Sequence, residues 1–279
     1  MKKTLIILFL STVLAVNAQI IKPNHEKERI PALKGKTIYF VLGDTNKDKD
    51  FKDAIYKYWS ITKFKVITPD QVSKNYSVNN VFFMDAATVS TGVAGSTSTS
   101  SEYMMWCPRE KAIQSGKEIK NLDPMFVEIY FDIKVEGDYW YAGFFRNFLQ
   151  QIQGYMNTFI ASGKADLVSD PTKIAELKNA TLYVSEYIAD KGKMADLFSK
   201  YTGKYAVISS AEINKKIMAG ENIYYMLTCI YGQNCKIISV INSQTGQMVY
   251  SLIDAKPTYP TLRKNDIADI DKEAQKAGK

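Results

Sequence analysis

Hydrophobic and polar positions follow the same order of patterns in two parts of this chain. Each part opens on the frame Ile-x-x-Leu-Lys-x-x-Thr-x-Tyr, which begins at Ile30 and again at Ile174. Apolar and β-branched runs come directly after it, TIYFVL from Thr37 and TLYV from Thr181, and such runs are typical of a buried strand. The shared opening predicts that both parts begin with the same element of structure.

A helical period comes next in both parts. Apolar residues recur at spacings of three and four within Phe51–Trp59 and again within Met194–Tyr201. A stripe of this kind packs a surface helix against a sheet. Short apolar runs at Phe64–Ile67 and Tyr205–Ile208 then predict a second strand in each part.

Both second strands are followed by a helix-start signal, Thr-Pro-Asp-Gln at 68–71 and Ser-Ser-Ala-Glu at 209–212. In such a capping box, side chains bond the amide groups that the first helical turn leaves without partners. Two matched phrases, NNVFFMDA at 79–86 and ENIYYMLT at 221–228, predict a third strand in each part. The recurring order of these features favours an internal duplication.

The two parts are expected to end differently. In the second, strands at Lys236–Ile241 and Gln247–Leu252 flank a turn with Asn and Gly, the residues that hairpin turns favour. In the first, the Ser/Thr/Gly-rich segment 87–102 predicts a loop, either an insertion without function or a functional flap. Met125–Ile133 then resumes as a strand.

An apolar stripe starts near Gly143 and runs to Phe159, which predicts a long helix that connects the two parts and packs between them. The fold class expected is α/β, with α+β as the alternative, in two tandem domains of about β-α-β-α-β-β-β. The boundaries expected are a signal peptide at 1–18, an N-terminal arm at 19–29, a first repeat at 30–142, a connecting helix and linker at 143–172, a second repeat at 173–256 and a polar tail at 257–279. That tail is expected to be a surface helix or an unstructured end.

The first residues indicate export. Lys2 and Lys3 precede the uncharged apolar stretch Thr4–Val16, and small residues lead to a cleavage site before Gln19. The stretch is shorter than the roughly 20 residues of a transmembrane helix; an uncleaved membrane anchor is the alternative. We therefore expect a periplasmic or secreted protein with no transmembrane segment after cleavage.

Charge excludes little. The formal net charge is +7 and falls to +5 without Lys2 and Lys3, and the lysines are spread along the chain. A solvated surface explains this composition better than a basic face for nucleic acid or anionic lipid. We expect no nucleic-acid partner.

The chain has three cysteines. Cys229 and Cys235 flank IYGQN, and a hairpin loop there is expected to set them opposite each other on neighbouring strands. In an oxidising compartment such a pair can persist as a disulfide; two separate buried thiols are the alternative. Cys107 is expected to be a small buried apolar residue rather than a reactive thiol.

One part of the sequence resembles a known family. A strand, a helix, YAVISSAEI, a further strand and ISVINSQTGQMVYSL resemble the TolB amino-terminal domain and the related domains of curli-secretion and penicillin-binding-protein activator lipoproteins. The family's hairpin reads Asp-x-x-Thr-Gly-x-x-Val; here Asn242 stands in place of the aspartate, while Thr245, Gly246 and Val249 fit. The resemblance covers 177–254 well and 33–86 weakly. It implies an envelope protein that binds other proteins, although this chain lacks the family's lipid-bearing cysteine and propeller.

Candidate chemistry is sparse. The only histidine, His25, lies outside both repeats, which excludes a Ser-His-Asp or Cys-His site and a histidine-based zinc site unless the N-terminal arm folds back. Phosphate-loop and dinucleotide motifs are missing. Gly43 and Asp44 follow a strand where α/β folds bind ligands, but a plain turn explains them better.

Four carboxylates lie close together in sequence and could support glycoside hydrolysis. They are Glu128, Asp132, Glu136 and Asp138. An exposed strand face explains them more simply, and we expect no catalytic, cofactor or metal residues. The leading hypothesis is a non-enzymatic, exported envelope protein that binds an envelope protein of unknown identity. The alternatives are a small-molecule or glycan site in the cleft between domains and a carboxylate-dependent hydrolase. Sequence leaves the oligomeric state open.

Overall fold

The computed structural model contains both helices and sheets, as the hydrophobic patterns predict, and the mixed α/β class is confirmed. It describes residues 35–42, 48–75, 77, 80–93, 96–108, 122–132, 141–162, 171–186, 193–231, 235–254 and 262–277.

The described residues of the first half form five strands and two α-helices. In chain order they are β1 (Thr37–Val41), α1 (Asp48–Tyr58), β2 (Lys63–Ile67), β3 (Asn80–Val93), β4 (Ser96–Pro108), β5 (Leu122–Asp132) and α2 (Ala142–Ser162). Two short 3-10 helices, Pro69–Gln71 and Ser73–Asn75, lie between β2 and β3. The strands form one sheet in the order β2-β1-β3-β4-β5, parallel among β2, β1 and β3 and antiparallel from β3 to β5.

The second half repeats this order of strands. Its elements are a 3-10 helix (Pro171–Lys178), β6 (Thr181–Ser185), α3 (Met194–Leu197), β7 (Lys204–Ile208), α4 (Ser210–Met218), β8 (Tyr224–Tyr231), β9 (Cys235–Asn242), β10 (Met248–Asp254) and α5 (Lys264–Ala277). The sheet runs β7-β6-β8-β9-β10, with β7, β6 and β8 parallel and the last two pairings antiparallel. Strand order and direction therefore match in the two sheets.

The helices of the two halves differ in length. The 11 residues of α1 correspond to a single turn in α3, although the predicted stripe at Met194–Tyr201 is buried. Conversely, the signal at 68–71 produces only 3-10 turns, whereas Ser209 and Glu212 cap the nine-residue α4. Within 68–75 only Val72 is buried, so no apolar stripe stabilises a longer helix there.

The loop predicted at 87–102 is wrong for most of its length. β3 continues to Val93 and β4 begins at Ser96, so that Thr88 pairs with Ser101 and Gly92 with Thr97 in one long hairpin. Threonine and valine favour extended backbone, and this preference outweighs the Ser/Gly composition. The connection at 94–95 lies outside the described residues.

The third strands of the two halves, β3 and β8, differ by one residue in their register against β1 and β6 when they are aligned by sequence. Tyr39 of β1 pairs with Phe82, and Tyr183 of β6 pairs with Tyr225. Aligned by sequence, however, Phe82 corresponds to Tyr224. A shift of one residue exchanges the faces of a strand, so the sequence match gives the right element but not its register.

Two hydrophobic cores lie on the two faces of the second sheet. The core that joins the halves contains side chains of β1, α1, α2 and α4. It also contains the face of the second sheet on which Tyr225 and Ile241 lie. The other contains the 3-10 helix, α3, α5 and the opposite face of that sheet, including Val184 and Met226. The long helix α2 packs between the halves, which confirms that prediction.

The segment expected to be a polar tail contributes to the second core. Ile267, Ile270 and Ala274 are buried along one side of α5, while Lys272 and Lys276 are exposed on the other. The spacing of three and four residues makes one apolar stripe. Because α2 follows β5 and α5 follows β10, each half ends in a helix.

Candidate functional site

The strand β2 forms one open edge of the first sheet. The carbonyl of Ile67 accepts a hydrogen bond from the amide of Leu42, at 2.9 Å, so Ile67 directs its backbone toward β1. In a parallel ladder, alternate residues bond to opposite sides. The backbone N–H and C=O groups of Phe64 and Val66 therefore point away from β1, toward the open edge.

The strand β7 has the same arrangement in the second sheet. The amide of Glu186 donates to the carbonyl of Ile208, at 3.1 Å. Tyr205 and Val207 consequently point their backbone groups outward. The pairs Phe40–Val66 and Val184–Val207 show that the two edges have the same register.

Aromatic side chains cover both edges. The ring of Tyr56 on α1 is 66% exposed and lies 5.4 Å from the ring of Phe64. Tyr205 is 37% exposed and stacks on Phe198, with ring centroids 4.1 Å apart. Exposed tyrosine is common in protein interfaces because it offers a large apolar area and a polar hydroxyl. We call these two surfaces the β2 edge (Tyr56 and 63–67) and the β7 edge (Phe198 and 204–208).

Charge distinguishes the two edges. Lys63 and Lys65 alternate with Phe64 and Val66 along β2, and both lysines are exposed. The ammonium group of Lys65 lies 5.8 Å from the centre of the Tyr39 ring. β7 has only one lysine, Lys204. Lysines on edge strands hinder pairing with apolar strands, but they attract a strand that carries carboxylates.

A buried polar network holds the two halves together. Arg146 of α2 is 6% exposed and donates to the carbonyls of Ile217, at 2.7 Å, and Ser243, at 3.0 Å. Its guanidinium also lies 5.0 Å from the centre of the Tyr58 ring on α1. One side chain thus contacts both halves, and its partners among the described residues are two carbonyl groups and an aromatic ring.

The residue after it extends the network. Asn147 is fully buried; its Nδ2 donates to the carbonyl of Ser243, at 2.7 Å, and its Oδ1 accepts from the hydroxyl of Tyr225, at 3.0 Å. Burial raises the pKa of Tyr225, while the nearby Arg146 charge lowers it. The tyrosine is therefore a neutral donor, as its bond to Asn147 requires.

The turn at 242–246 binds to this helix. The side-chain oxygen of Asn242 accepts hydrogen bonds from the amides of Gln244, at 2.9 Å, and Thr245, at 3.1 Å. An aspartate, as in the TolB pattern, would supply the same acceptor. Gly246 has a φ of 71°, and a Cβ atom there would lie 2.6 Å from the carbonyl oxygen of Asn147. Glycine is thus required both by the backbone and by the contact with α2.

The other side of α2 is bonded to the first half. Gln153 accepts a hydrogen bond from the amide of Ser60, at 2.6 Å, and donates to the carbonyl of Tyr58. Together with the shared core, these bonds join α2 to both halves. The ligand site in the cleft between domains stays a prediction.

The predicted cysteine pair is not directly opposed. Cys229 pairs with Ile237, and Cys235 pairs with Tyr231. The two cysteines are diagonal neighbours, for which Cα atoms are typically about 7–8 Å apart, beyond the usual disulfide range of about 4.4–6.8 Å. The expected opposition is wrong because the β8–β9 ladder extends to Tyr231, which takes the place opposite Cys235. The disulfide itself stays a prediction.

The remaining candidate residues are not brought into a site. Cys107 pairs with Asp123, Glu128 with Met104, and Asp132 with Ser100, all in the ladder of the first sheet. His25, Gly43, Asp44, Glu136 and Asp138 lie outside the described residues. The described ranges contain no group of three or more His, Cys, Asp or Glu residues that could hold a metal ion. Over those same ranges, each helix is too short or too polar to span a membrane.

Comparison with known proteins gives no assignment. No family model, no curated protein and no solved structure matches this chain. The resemblance to TolB amino-terminal domains stays a prediction that rests on the quoted residues.

Sequence reasoning missed both the network and the edges. Arg146, Asn147 and Gln150 are polar residues between the members of an apolar stripe, a pattern that usually indicates a solvated face. The edges depend on strand order, which the sequence does not encode locally. The lysines of KFKVI were the available signal, because lysine on a short strand is typical of an edge.

Proposed function

We propose that this chain is an exported, non-enzymatic protein-binding module, and that its partner contacts the open edges of its sheets. The observation that carries the proposal is the recurrence of one arrangement in both halves. Phe64 and Tyr205 occupy the same register position on an edge strand, and each has an aromatic neighbour from the preceding segment. Edge strands with exposed side chains are a common mode of peptide recognition.

The two halves are proposed to be duplicated copies of one unit. Identical strand order and direction support this origin, as do the matched frames at Ile30 and Ile174. In this proposal α2 and α5 are equivalent terminal helices, and α2 has acquired a second partner in the following sheet. A rigid junction would then hold the two edges at a fixed separation, which suits a partner that contacts both.

The proposal can be tested with photo-cross-linkers in intact producing cells. A cross-linking amino acid would replace Tyr56 in one variant, Tyr205 in a second and Met218 in a third. Met218 on α4 is 44% exposed, belongs to neither the β2 edge nor the β7 edge as defined above, and serves as the matched control. We expect a discrete cross-linked envelope protein from either edge variant and none from the control.

Two outcomes would contradict the proposal. Equal cross-linking from all three positions would indicate nonspecific association rather than a binding site. Folded, exported variants that give no adduct from either edge would remove the edges as the binding surface, and small-molecule screening would then take priority. Fractionation of the same cells reports whether the chain is exported at all.

A further inference from the structure

We propose that the β2 edge binds an extended segment of the partner as an added strand, in which apolar residues alternate with aspartate or glutamate. The inference rests on the proposed function and specifies the chemistry of its partner. The backbone of β2, the faces of its side chains and its charge each contribute to the argument.

The backbone provides the first requirement. Phe64 and Val66 direct their N–H and C=O groups away from β1, and none of the described backbone hydrogen bonds outside the ladders uses them. Two outward residues separated by one inward residue present the spacing that an incoming strand needs. Main-chain bonds of this kind supply affinity in strand addition, and the side chains supply specificity.

The side chains of β2 divide between the two faces of the sheet. Phe64 and Val66 pack against the core that joins the halves, and Tyr56 extends this apolar surface outward. Lys63 and Lys65 lie on the opposite face and are exposed. An added strand would place alternate residues beside each set, so one set should be apolar and the other acidic.

Charge selects the acidic residues. None of the ion pairs among the described residues includes Lys63 or Lys65. Two exposed cations on one short strand repel a basic strand and attract an acidic one. The β7 edge has Lys204 and then Ala206 on the corresponding face, so it lacks the second lysine and provides an internal comparison.

The test uses a fluorescent peptide of alternating valine and glutamate as the probe, with a valine–lysine peptide as its control. We expect the purified chain to bind the glutamate peptide, more weakly as salt increases, and to ignore the lysine peptide. The double substitution Lys63→Glu/Lys65→Glu should weaken binding about tenfold, since two exposed ion pairs are removed and replaced by repulsion.

A proline substitution tests the backbone requirement. Val66→Pro removes an N–H that points away from β1, so the ladder keeps its bonds and proline is tolerated at such an edge position. It should weaken peptide binding about tenfold, whereas Val207→Pro, at the matching position of β7, should leave it unchanged. If Val66→Pro does not fold by circular dichroism, the lysine pair still decides the question.

The results separate this inference from the proposed function. Peptide binding that survives Val66→Pro and the lysine reversal overturns the inference, as does equal binding of the lysine peptide. If a partner is cross-linked through Tyr56 but the glutamate peptide does not bind, the edge is a protein-binding surface and strand addition by an acidic segment is wrong. If no partner is cross-linked at either edge, both fall together.

Discussion

The contact between the turn at 242–246 and the junction helix can be tested by adding one methyl group. Gly246 and Gly220 both have positive φ, 71° and 79°, but their surroundings differ. A Cβ at Gly246 would lie 2.6 Å from the Asn147 carbonyl oxygen and 2.8 Å from Cβ of Gln150, whereas one at Gly220 meets nothing within 4 Å. Replacing each glycine by alanine separates the backbone effect from the contact.

The expected magnitudes follow from the two surroundings. An alanine in the left-handed region costs roughly 1–2 kcal/mol at either position. At Gly246 the new methyl group also overpacks the contact with α2, which adds roughly 1–3 kcal/mol. We therefore expect Gly220→Ala to lower the free energy of unfolding by about 1–2 kcal/mol and Gly246→Ala to lower it by about 2–5 kcal/mol.

Equilibrium unfolding in urea, followed by tryptophan fluorescence and by far-UV circular dichroism, measures both values. Coincident transitions from the two probes would justify a two-state analysis. Equal destabilisation by the two substitutions would show that the turn does not rest on α2. The contact between this turn and α2 would then not help to fix the two halves relative to each other.

Three further predictions concern the cores. The hydroxyl of Tyr155 is buried without a hydrogen-bond partner among the described residues, so Tyr155→Phe should stabilise the chain by roughly 1 kcal/mol in urea unfolding; destabilisation would reveal a missing partner. Burial raises the pKa of Tyr201 and of Tyr224 to about 12, and the folded state therefore favours their neutral forms. Their contribution to the free energy of unfolding should be constant below about pH 10, the pKa in the unfolded chain. It should be lost as the pH rises from about 10 to about 12. A urea midpoint that does not change over that interval would contradict this. Finally, Ile270→Ala should cost about 2–5 kcal/mol and Lys272→Ala less than about 0.5 kcal/mol, and equal thermal shifts would mean that α5 is not packed as described.

Hydrophobic periodicity was sufficient to predict many elements of this fold, because burial of one face places apolar residues at regular spacings in the sequence. The strand at Thr37, the stripe at Phe51–Trp59 and the cap at Ser209 all lie where the patterns predicted them. The stripe of α5, at Ile267 and Ile270, was equally visible, but the surrounding charges favoured a surface segment. A short stripe is enough to bury one side of α5, because that side packs into the second core.

Other features depend on contacts between distant residues and have no local trace. Arg146 and Asn147 are buried only because the second sheet covers the face of α2 that a single domain would leave in water. The open edges follow from strand order, and the pairing of Tyr225 rather than Tyr224 follows from register. Sequence reasoning therefore located the elements but not the surfaces they create.

The position of α2 has a consequence for the order of folding. A chain is synthesised from its amino terminus, and domains generally fold as they emerge. The first half is complete once α2 has formed, yet the carbonyl groups that accept hydrogen bonds from Arg146, and the Tyr225 hydroxyl that bonds Asn147, belong to residues 217–243, which are made later. Until then one side of α2, with its apolar residues and a cation, remains in water. We therefore expect the first half alone, with this side of α2 uncovered, to aggregate more readily than the complete chain.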